Sequence, residues 1–204
     1  MPPRHRSCRT ALLVLAASIA PLIVHAQGAS PPKEMQAQLQ KMPPEERERV
    51  LSYTPELRQK VMALSPQTKA MMKKLHDQHP RRSKELTLRQ VMQEVLADYE
   101  SIVSGIAADN AEQAADSARR LAGHRIPKGG LLPYFALDQV NDADLGVLQT
   151  MNDAVEGNAL KLAVAADKGD MAGAAARLSD IMVGCVACHQ KFRGKPGVSA
   201  NLVK

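Results

Sequence analysis

Near its C-terminus the chain reads Cys185-Val186-Ala187-Cys188-His189-Gln190-Lys191-Phe192-Arg193, and this stretch decides most of what can be said about the fold. On a helix, Cys185, Cys188 and His189 take positions i, i+3 and i+4 and therefore share one face. Apolar residues keep helical spacing back to Met171, so the motif ends a long helix instead of lying in a loop. The helix then stops at three breaking residues, Gly194, Pro196 and Gly197.

The spacing C-x-x-C-H is the attachment signature of c-type haem, in which two thiols bond to the ring and the adjacent imidazole binds iron. Two other uses of paired cysteines fit less well. A thioredoxin-like pair belongs to a strand-to-helix turn in an α/β fold, and no stretch of this sequence alternates like a strand. A zinc site would need a second ligand pair. The sequence therefore predicts haem c, one per chain.

Four helical stretches are predicted in the C-terminal part, residues 84–204. They cover residues 86–107, with Thr87 and Gln90 as a capping box, then 110–124, 143–167 and 171–193. The links are short except for the one that contains Pro127, Gly129, Gly130 and Pro133. We therefore expect an all-α domain, an antiparallel up-and-down four-helix bundle. Because aromatic residues make up only 2% of the chain, its core needs Leu, Val, Ile, Met and Ala, and a large non-protein ring could fill it.

This part of the chain resembles the class II c-type cytochromes, the cytochrome c′ family, over about residues 84–196. The haem motif at the end of a fourth helix and the Phe192-Arg193 pair after it carry the resemblance, since most other c-type cytochromes have the motif near the N-terminus. The resemblance implies that Cys185 and Cys188 are the thioether positions, that His189 is the proximal iron ligand, and that Arg193 lies near the haem edge.

The resemblance also directs attention to the opposite side of the iron. Family members either bind iron with a first-helix methionine, which makes six-coordinate electron carriers, or keep an apolar distal pocket open to small gases. Met92 lies on the predicted inward stripe and matches that methionine. His124, at the end of the second predicted helix, is the less favoured candidate, because a histidine there is usually solvated. A core-filling role for Met92, with no sixth protein ligand, is the alternative.

Three basic residues follow the haem motif: Lys191, Arg193 and Lys195. A charged helix end that faces water accounts for them, because positive charge is favourable at a helix C-terminus. Pairing with haem propionates and steering of a redox partner account for them equally well. His76 and His79 lie in a polar segment and are predicted to be plain surface residues.

The N-terminus has the parts of a secretory signal peptide. A positive region contains Arg4, Arg6 and Arg9; an apolar region covers residues 11–24; and a small-x-small cleavage pattern is formed by Val24-His25-Ala26. An uncleaved anchor is the alternative, but Pro21 interrupts the apolar run, which is shorter than the roughly 20 residues that span a bilayer. We therefore expect residues 1–26 to be removed after Ala26 and the protein to be periplasmic.

Residues 27–83, the extension, lie outside the resemblance and contain an eleven-residue repeat. Each unit has a capping position, a proline at the first helical position and a short amphipathic helix. The three units begin at Met42-Pro43-Pro44-Glu45, Tyr53-Thr54-Pro55-Glu56 and Leu64-Ser65-Pro66-Gln67. Helices of about two turns bury little by themselves, so these must fray, dock on the bundle or dock on a partner.

The positive charge of the chain is concentrated in the extension. Residues 27–83 carry 11 basic and 6 acidic side chains, whereas residues 84–204 carry 13 and 15. The extension therefore suits peripheral contact with an acidic partner or an anionic membrane surface, with a solvated arm as the alternative. Nucleic acid is not expected as a partner, because the chain is exported and lacks aromatic stacking platforms.

These patterns predict a monohaem c-type cytochrome, not an enzyme, that carries single electrons between a periplasmic donor protein and an acceptor protein. A five-coordinate haem module that binds nitric oxide or carbon monoxide is one alternative. A redox-reporting adaptor that acts through the extension is the other. The resemblance also implies a possible homodimer, since family members are often dimers through their first two helices.

Overall fold

The structure is a computed structural model that describes residues 33–193 of the 204-residue chain. The predicted signal peptide and Lys195 lie outside the described residues. Within residues 33–193 the chain is helical, and its only β-type pairing is an isolated bridge between Arg82 and Ile126. The prediction of an all-α protein is therefore confirmed.

The extension forms a series of short helices whose starts follow the eleven-residue repeat. They are α1 (Lys33–Lys41), α2 (Pro44–Leu51), α3 (Pro55–Ala63) and α4 (Pro66–Asp77). Proline occupies the first position of the last three, where its missing N–H costs nothing. The side chains of Thr54 and Ser65 accept hydrogen bonds from the backbone N–H groups of Leu57 and Thr68. The predicted caps of these two helices are thus confirmed.

The later helices begin and end close to the predicted positions, with one exception. They are α5 (Leu88–Ala107), α6 (Ala111–Ala122), α7 (Asp142–Leu145), α8 (Leu148–Asn152), α9 (Asn158–Asp167) and α10 (Met171–Cys188). The capping box of Thr87 and Gln90 is present. Gly169 takes a left-handed φ of 74° between α9 and α10, and Asp170 caps α10.

The exception is the third predicted helix, which is not continuous. Residues 143–167 contain α7, α8, a π-helical turn at Asp153–Gly157 and α9. The side-chain amide of Asn158 donates a hydrogen bond to the carbonyl oxygen of Ala154. At this turn a side chain therefore competes with backbone N–H groups for a backbone carbonyl oxygen. The backbone stays helical through this turn from Leu148 to Asp167, so the predicted helix is confirmed there; it was wrong only at Gly146 and Val147, which separate α7 from α8.

Helices α5, α6, α9 and α10 pack in chain order, each antiparallel to the next. Between α5 and α6, Arg120 donates to Asp98 at 2.8 Å and Ser117 donates to Ser101 at 2.8 Å, so residue numbers rise on one helix as they fall on the other. Helix α10 also contacts α5, but less extensively than it contacts α9. The core among these four helices, the helical core, is built largely from alanine, which lets backbones approach closely.

A second apolar core joins the extension to the rest of the chain. It contains Leu39, Val50, Tyr53, Leu57, Val61, Met62, Leu64 and Leu75 from the extension, with Leu132, Val140, Leu145, Leu148 and Phe192 from outside it. Of the three possibilities that the sequence left open for the extension, the structure shows docking on the chain itself. This extension core lies against the segment that follows the haem motif, because Phe192 belongs to it.

Candidate functional site

The haem motif occupies the last turn of α10 and the first residue of a π-helical turn, His189–Arg193. Cys185 and Cys188 are free thiols, each partly buried, and the side chain of His189 is exposed. Cys185 packs against the helical core, whereas Cys188 packs against the extension core. The two sulfurs and the imidazole are therefore held on neighbouring positions of one helix end, at the junction of the two cores.

The electrostatics of these thiols differ from those of a thiol–disulfide redox pair. Burial raises the pKa of both thiols, and the neighbouring Cys185 raises that of Cys188 further. Redox-active pairs instead have a lowered pKa, commonly at the start of a helix. Burial, and then the charge of Arg193, lowers the pKa of His189. The motif thus presents protonated thiols and a neutral imidazole, the form in which histidine binds a metal.

Helix α5 faces the haem motif through Tyr99, whose pKa is raised by burial and by the nearby Cys185. Large apolar side chains on both helices are exposed beside this contact: Leu96 and Val103 on α5, and Met182 and Val186 on α10. Leu96 and Val103 lie one turn before and after Tyr99, and Met182 lies one turn before Cys185. These four exposed side chains, which flank the haem motif on the two helices, are called the apolar patch below.

The structure places Met92 two turns before Tyr99, about 10 Å away along the axis of α5 and on the same side. Its side chain is partly exposed and belongs to neither core, whereas the adjacent Val91 is fully buried. The other members of the predicted inward stripe are buried or pack on the helical core, namely Leu88, Val95, Tyr99, Ile102 and Ile106, so Met92 is the member that is less buried than expected. Since α5 and α10 run in opposite directions, Met92 lies toward the end of α5 that is near the C-terminal end of α10.

The side chain of His124, the less favoured candidate for the iron ligand, contacts other groups. Helix α6 ends at Ala122, and both ring nitrogens of His124 have partners: Nδ1 lies 2.8 Å from the carbonyl oxygen of Arg125, and Nε2 lies 3.2 Å from Oε1 of Glu156. His79 contacts the same carboxylate and is only 3% exposed, so the prediction of a surface residue was wrong for His79. Sequence reasoning missed this cluster because its members come from three separate segments.

The basic residues after the motif differ in their surroundings. Lys191 forms an ion pair with Asp144, which also lowers the pKa of that carboxyl. Arg193 is exposed, so it remains free for either of the two roles that the sequence allows. Phe192 between them is buried and stacks on Phe135, with ring centroids 4.4 Å apart. The end of α10 is thereby fastened to the loop that precedes α7.

Among the described residues, one helical stretch, Met171–Arg193, is long and apolar enough to cross a membrane on length and composition alone. The same test is passed by core helices of soluble proteins. Here Gly184 packs on Ala154 and Val155, so one side of α10 is in contact with the π-helical turn. The exposed large apolar side chains of α10 are Met182, Val183 and Val186.

No family model, no curated protein and no solved structure gives a significant match to this chain. The chemistry of the site therefore has to be argued from its own residues. Two thiols and an imidazole at helical spacing, next to the apolar patch and with the Met92 thioether one turn before Leu96, can hold a large planar metal-containing ring.

Proposed function

We propose that this protein is an exported monohaem c-type cytochrome that carries single electrons between redox proteins. Its residues 84–193 would form a four-helix bundle of the class II type, made from α5, α6, the segment that ends in α9, and α10. The antiparallel packing of these helices in chain order supports that architecture. In this proposal the protein is a carrier and has no substrate of its own.

The observation that carries the proposal is that the haem motif lies beside the apolar patch. Large apolar side chains rarely face water together on two neighbouring helices unless something covers them. Here they adjoin two free thiols and an exposed imidazole, which are the groups that attach and ligate haem c. The donor set and the apolar surface therefore fit one and the same group.

Each residue has a role in that arrangement. Cys185 and Cys188 would hold the ring through thioether bonds, His189 would bind the iron, and Met92 would bind it from the opposite side. Haem c, when bound, supplies one-electron redox chemistry. A thioether ligand opposite histidine favours electron transfer, because it raises the reduction potential relative to harder ligands. Arg193 is exposed and suits a propionate or the acidic surface of a partner.

The extension would insulate the site. Its apolar side chains pack with Phe192 and lie against Cys188, so they exclude water from one side of the haem motif. Exclusion of water and low local polarity are among the means by which a protein tunes a redox centre. These apolar faces are used within the chain, which favours the carrier over an adaptor that needs them for a partner.

The first test is spectroscopic, on protein matured in a host that attaches haem. Visible and electron paramagnetic resonance spectra are recorded for the ferric and ferrous forms, and carbon monoxide is added to the ferrous form. We expect a low-spin ferric signal, the weak far-red band of sulfur-to-iron ligation, and no change with carbon monoxide. A high-spin signal with rapid carbon monoxide uptake would instead support the gas-binding alternative.

A pair of variants tests the sixth ligand. Met92→Ala should lose the far-red band, become high-spin and bind carbon monoxide. Met171→Ala removes a partly buried methionine at the other end of α10, fourteen residues or about 21 Å from Cys185, and should leave the spectrum unchanged. An unchanged spectrum in Met92→Ala would refute the proposed ligation, and failure to attach haem at all would refute the function.

A further inference from the structure

Three segments that are far apart in sequence bring His79, His124 and Glu156 together. His79 follows α4 of the extension, His124 follows α6, and Glu156 lies in the π-helical turn before α9. The ligand atoms of the three side chains all lie within 4.8 Å of one another. None of the three belongs to the haem motif or to the apolar patch.

The backbone fixes which nitrogen of each ring carries the proton. Nδ1 of His79 lies 2.7 Å from the carbonyl oxygen of Leu75, and Nδ1 of His124 lies 2.8 Å from that of Arg125. A carbonyl oxygen only accepts hydrogen bonds, so each Nδ1 must be the donor. In a neutral imidazole the other nitrogen, Nε2, then carries a lone pair and no proton.

Both Nε2 atoms point at the same carboxylate oxygen. Oε1 of Glu156 lies 2.9 Å from Nε2 of His79 and 3.2 Å from Nε2 of His124. With neutral rings, three lone-pair atoms meet without a hydrogen between them. The side chains are 4%, 15% and 13% exposed, so water screens this contact poorly. A positive charge among the three atoms would resolve the conflict.

The surroundings match those of a metal site. Histidines that bind metals usually donate their other N–H to a carbonyl or carboxylate, which orients the ring, and both histidines do so here. The rings are 4.8 Å apart between centroids and tilted by 45°, so they converge without stacking. Ligand atoms bound to one ion at about 2.1 Å lie roughly 3.4 Å apart. The two distances to Glu156 are 2.9 Å and 3.2 Å, and all three ligand atoms lie within 4.8 Å of one another, so small shifts of the side chains would bring them to that spacing.

We propose that His79, His124 and Glu156 form a binding site for a divalent first-row transition metal ion, with Zn²⁺ as the best match. Two imidazole nitrogens and one carboxylate oxygen are the three protein ligands of the site, and the partly exposed side of His124 and Glu156 leaves a fourth position for water. The ion would tie the extension to α6 and to the π-helical turn.

The test is a titration of the full-length, haem-loaded protein with Zn²⁺, followed by calorimetry and by the shift in melting temperature. We expect one site, and a melting temperature that rises with Zn²⁺ because the ion binds only the folded chain. In this haem-loaded form the sulfurs of Cys185 and Cys188 would be bonded to the ring, so they would not compete for Zn²⁺.

Two variants and a control separate the site from adventitious binding. Glu156→Gln keeps the side-chain shape, and its amide can donate a hydrogen bond to one imidazole, so the variant should fold. Its affinity for Zn²⁺ should fall by more than about 100-fold, because loss of a mere supporting contact already costs up to that much. His79→Ala should do the same. His76→Ala, a partly buried histidine three residues away, should bind as the unchanged protein does.

Two results would overturn the proposal. One is Zn²⁺ binding by Glu156→Gln and His79→Ala with unchanged affinity, which would place the ion elsewhere. The other is failure of the unchanged protein to bind Zn²⁺, Co²⁺ or Mn²⁺, in which case the positive charge is a proton and the cluster is a histidinium–carboxylate pair.

Discussion

Gly184, the residue before Cys185, lies where α10 closely approaches the π-helical turn. A Cβ at this position would lie 2.9 Å from Cγ2 of Val155 and 3.0 Å from the carbonyl carbon of Ala154. Backbone cannot move aside cheaply, so Gly184→Ala should lower the free energy of unfolding by about 1–3 kcal/mol. Urea denaturation followed by circular dichroism measures the change.

Gly157 provides the matched comparison on the facing segment. A Cβ there would have Asp153 as its nearest neighbour, at 3.7 Å, which is ordinary van der Waals contact. Gly157→Ala should therefore leave stability unchanged or raise it by up to about 1 kcal/mol through helix propensity. Equal losses in the two variants would contradict the close approach that we describe at Gly184.

The short helices of the extension are linked by basic side chains that recur with the eleven-residue repeat. Arg47 donates to carbonyl oxygens of Leu39, Gln40 and Met42 at the end of α1. Arg58, eleven residues later, does the same for Val50, Leu51 and Tyr53, and Lys69 donates to Met62. Some of the basic side chains of the extension therefore donate hydrogen bonds to backbone carbonyl oxygens at helix C-termini, which would otherwise lack a partner within the helix.

This linkage predicts different effects for two basic residues of one helix. Arg58→Met removes three hydrogen bonds to the end of α2 and should destabilise the protein by about 1 kcal/mol, since the guanidinium is partly solvated. Lys60→Met, an exposed position two residues later, should stay within about 0.5 kcal/mol. Urea denaturation compares them, and equal effects would argue against the capping role of Arg58.

Contacts at the level of secondary structure were predictable where they depend on neighbours in sequence. A proline that follows Thr54 or Ser65 predicts the start of a helix, because the capping side chain and the first helical N–H groups are only a few residues apart. The π-helical turn at Asp153–Gly157, before α9, was not predictable in this way. It depends on the side chain of Asn158 and on packing against Gly184, thirty residues downstream.

Docking of the extension on the remainder of the chain includes a polar contact with a pH dependence. Asp142 accepts a hydrogen bond from the N–H of Ser65 at 3.0 Å. Hydrogen bonds from Thr68 and then Ser65 hold the pKa of Asp142 below its ordinary value of 3.8. A lowered pKa in the folded state means that this contribution to stability is present above the ordinary value and is lost as the pH falls below it.

Stability should therefore fall less steeply with acid in Asp142→Asn than in the unchanged protein between about pH 5 and about pH 2. Asp138→Asn, which alters an exposed carboxylate four residues before Asp142, should retain the original acid dependence. Urea midpoints at several pH values measure this, and identical slopes for all three proteins would show that Asp142 does not contribute.

The shared extension core leads to a prediction for the whole molecule. Deletion of residues 27–83 removes eight of its buried side chains and exposes Leu132, Leu145 and Phe192. Each buried leucine-sized side chain contributes about 1.5–3 kcal/mol, and a whole domain has only about 5–15 kcal/mol in reserve. The truncated protein should aggregate or lose cooperative unfolding in size-exclusion and urea experiments. An unchanged urea midpoint would contradict the docking.

The amino-acid sequence by itself determined the features that depend on residues within a few positions of each other. These are the all-α class, the helix starts, the eleven-residue repeat and the C-x-x-C-H spacing. Tertiary structure decided which apolar faces meet. It packed the extension against Phe192 and buried His79 beside Glu156. Those outcomes depend on contacts between residues about 80 or more positions apart, for which a single sequence carries no local signal.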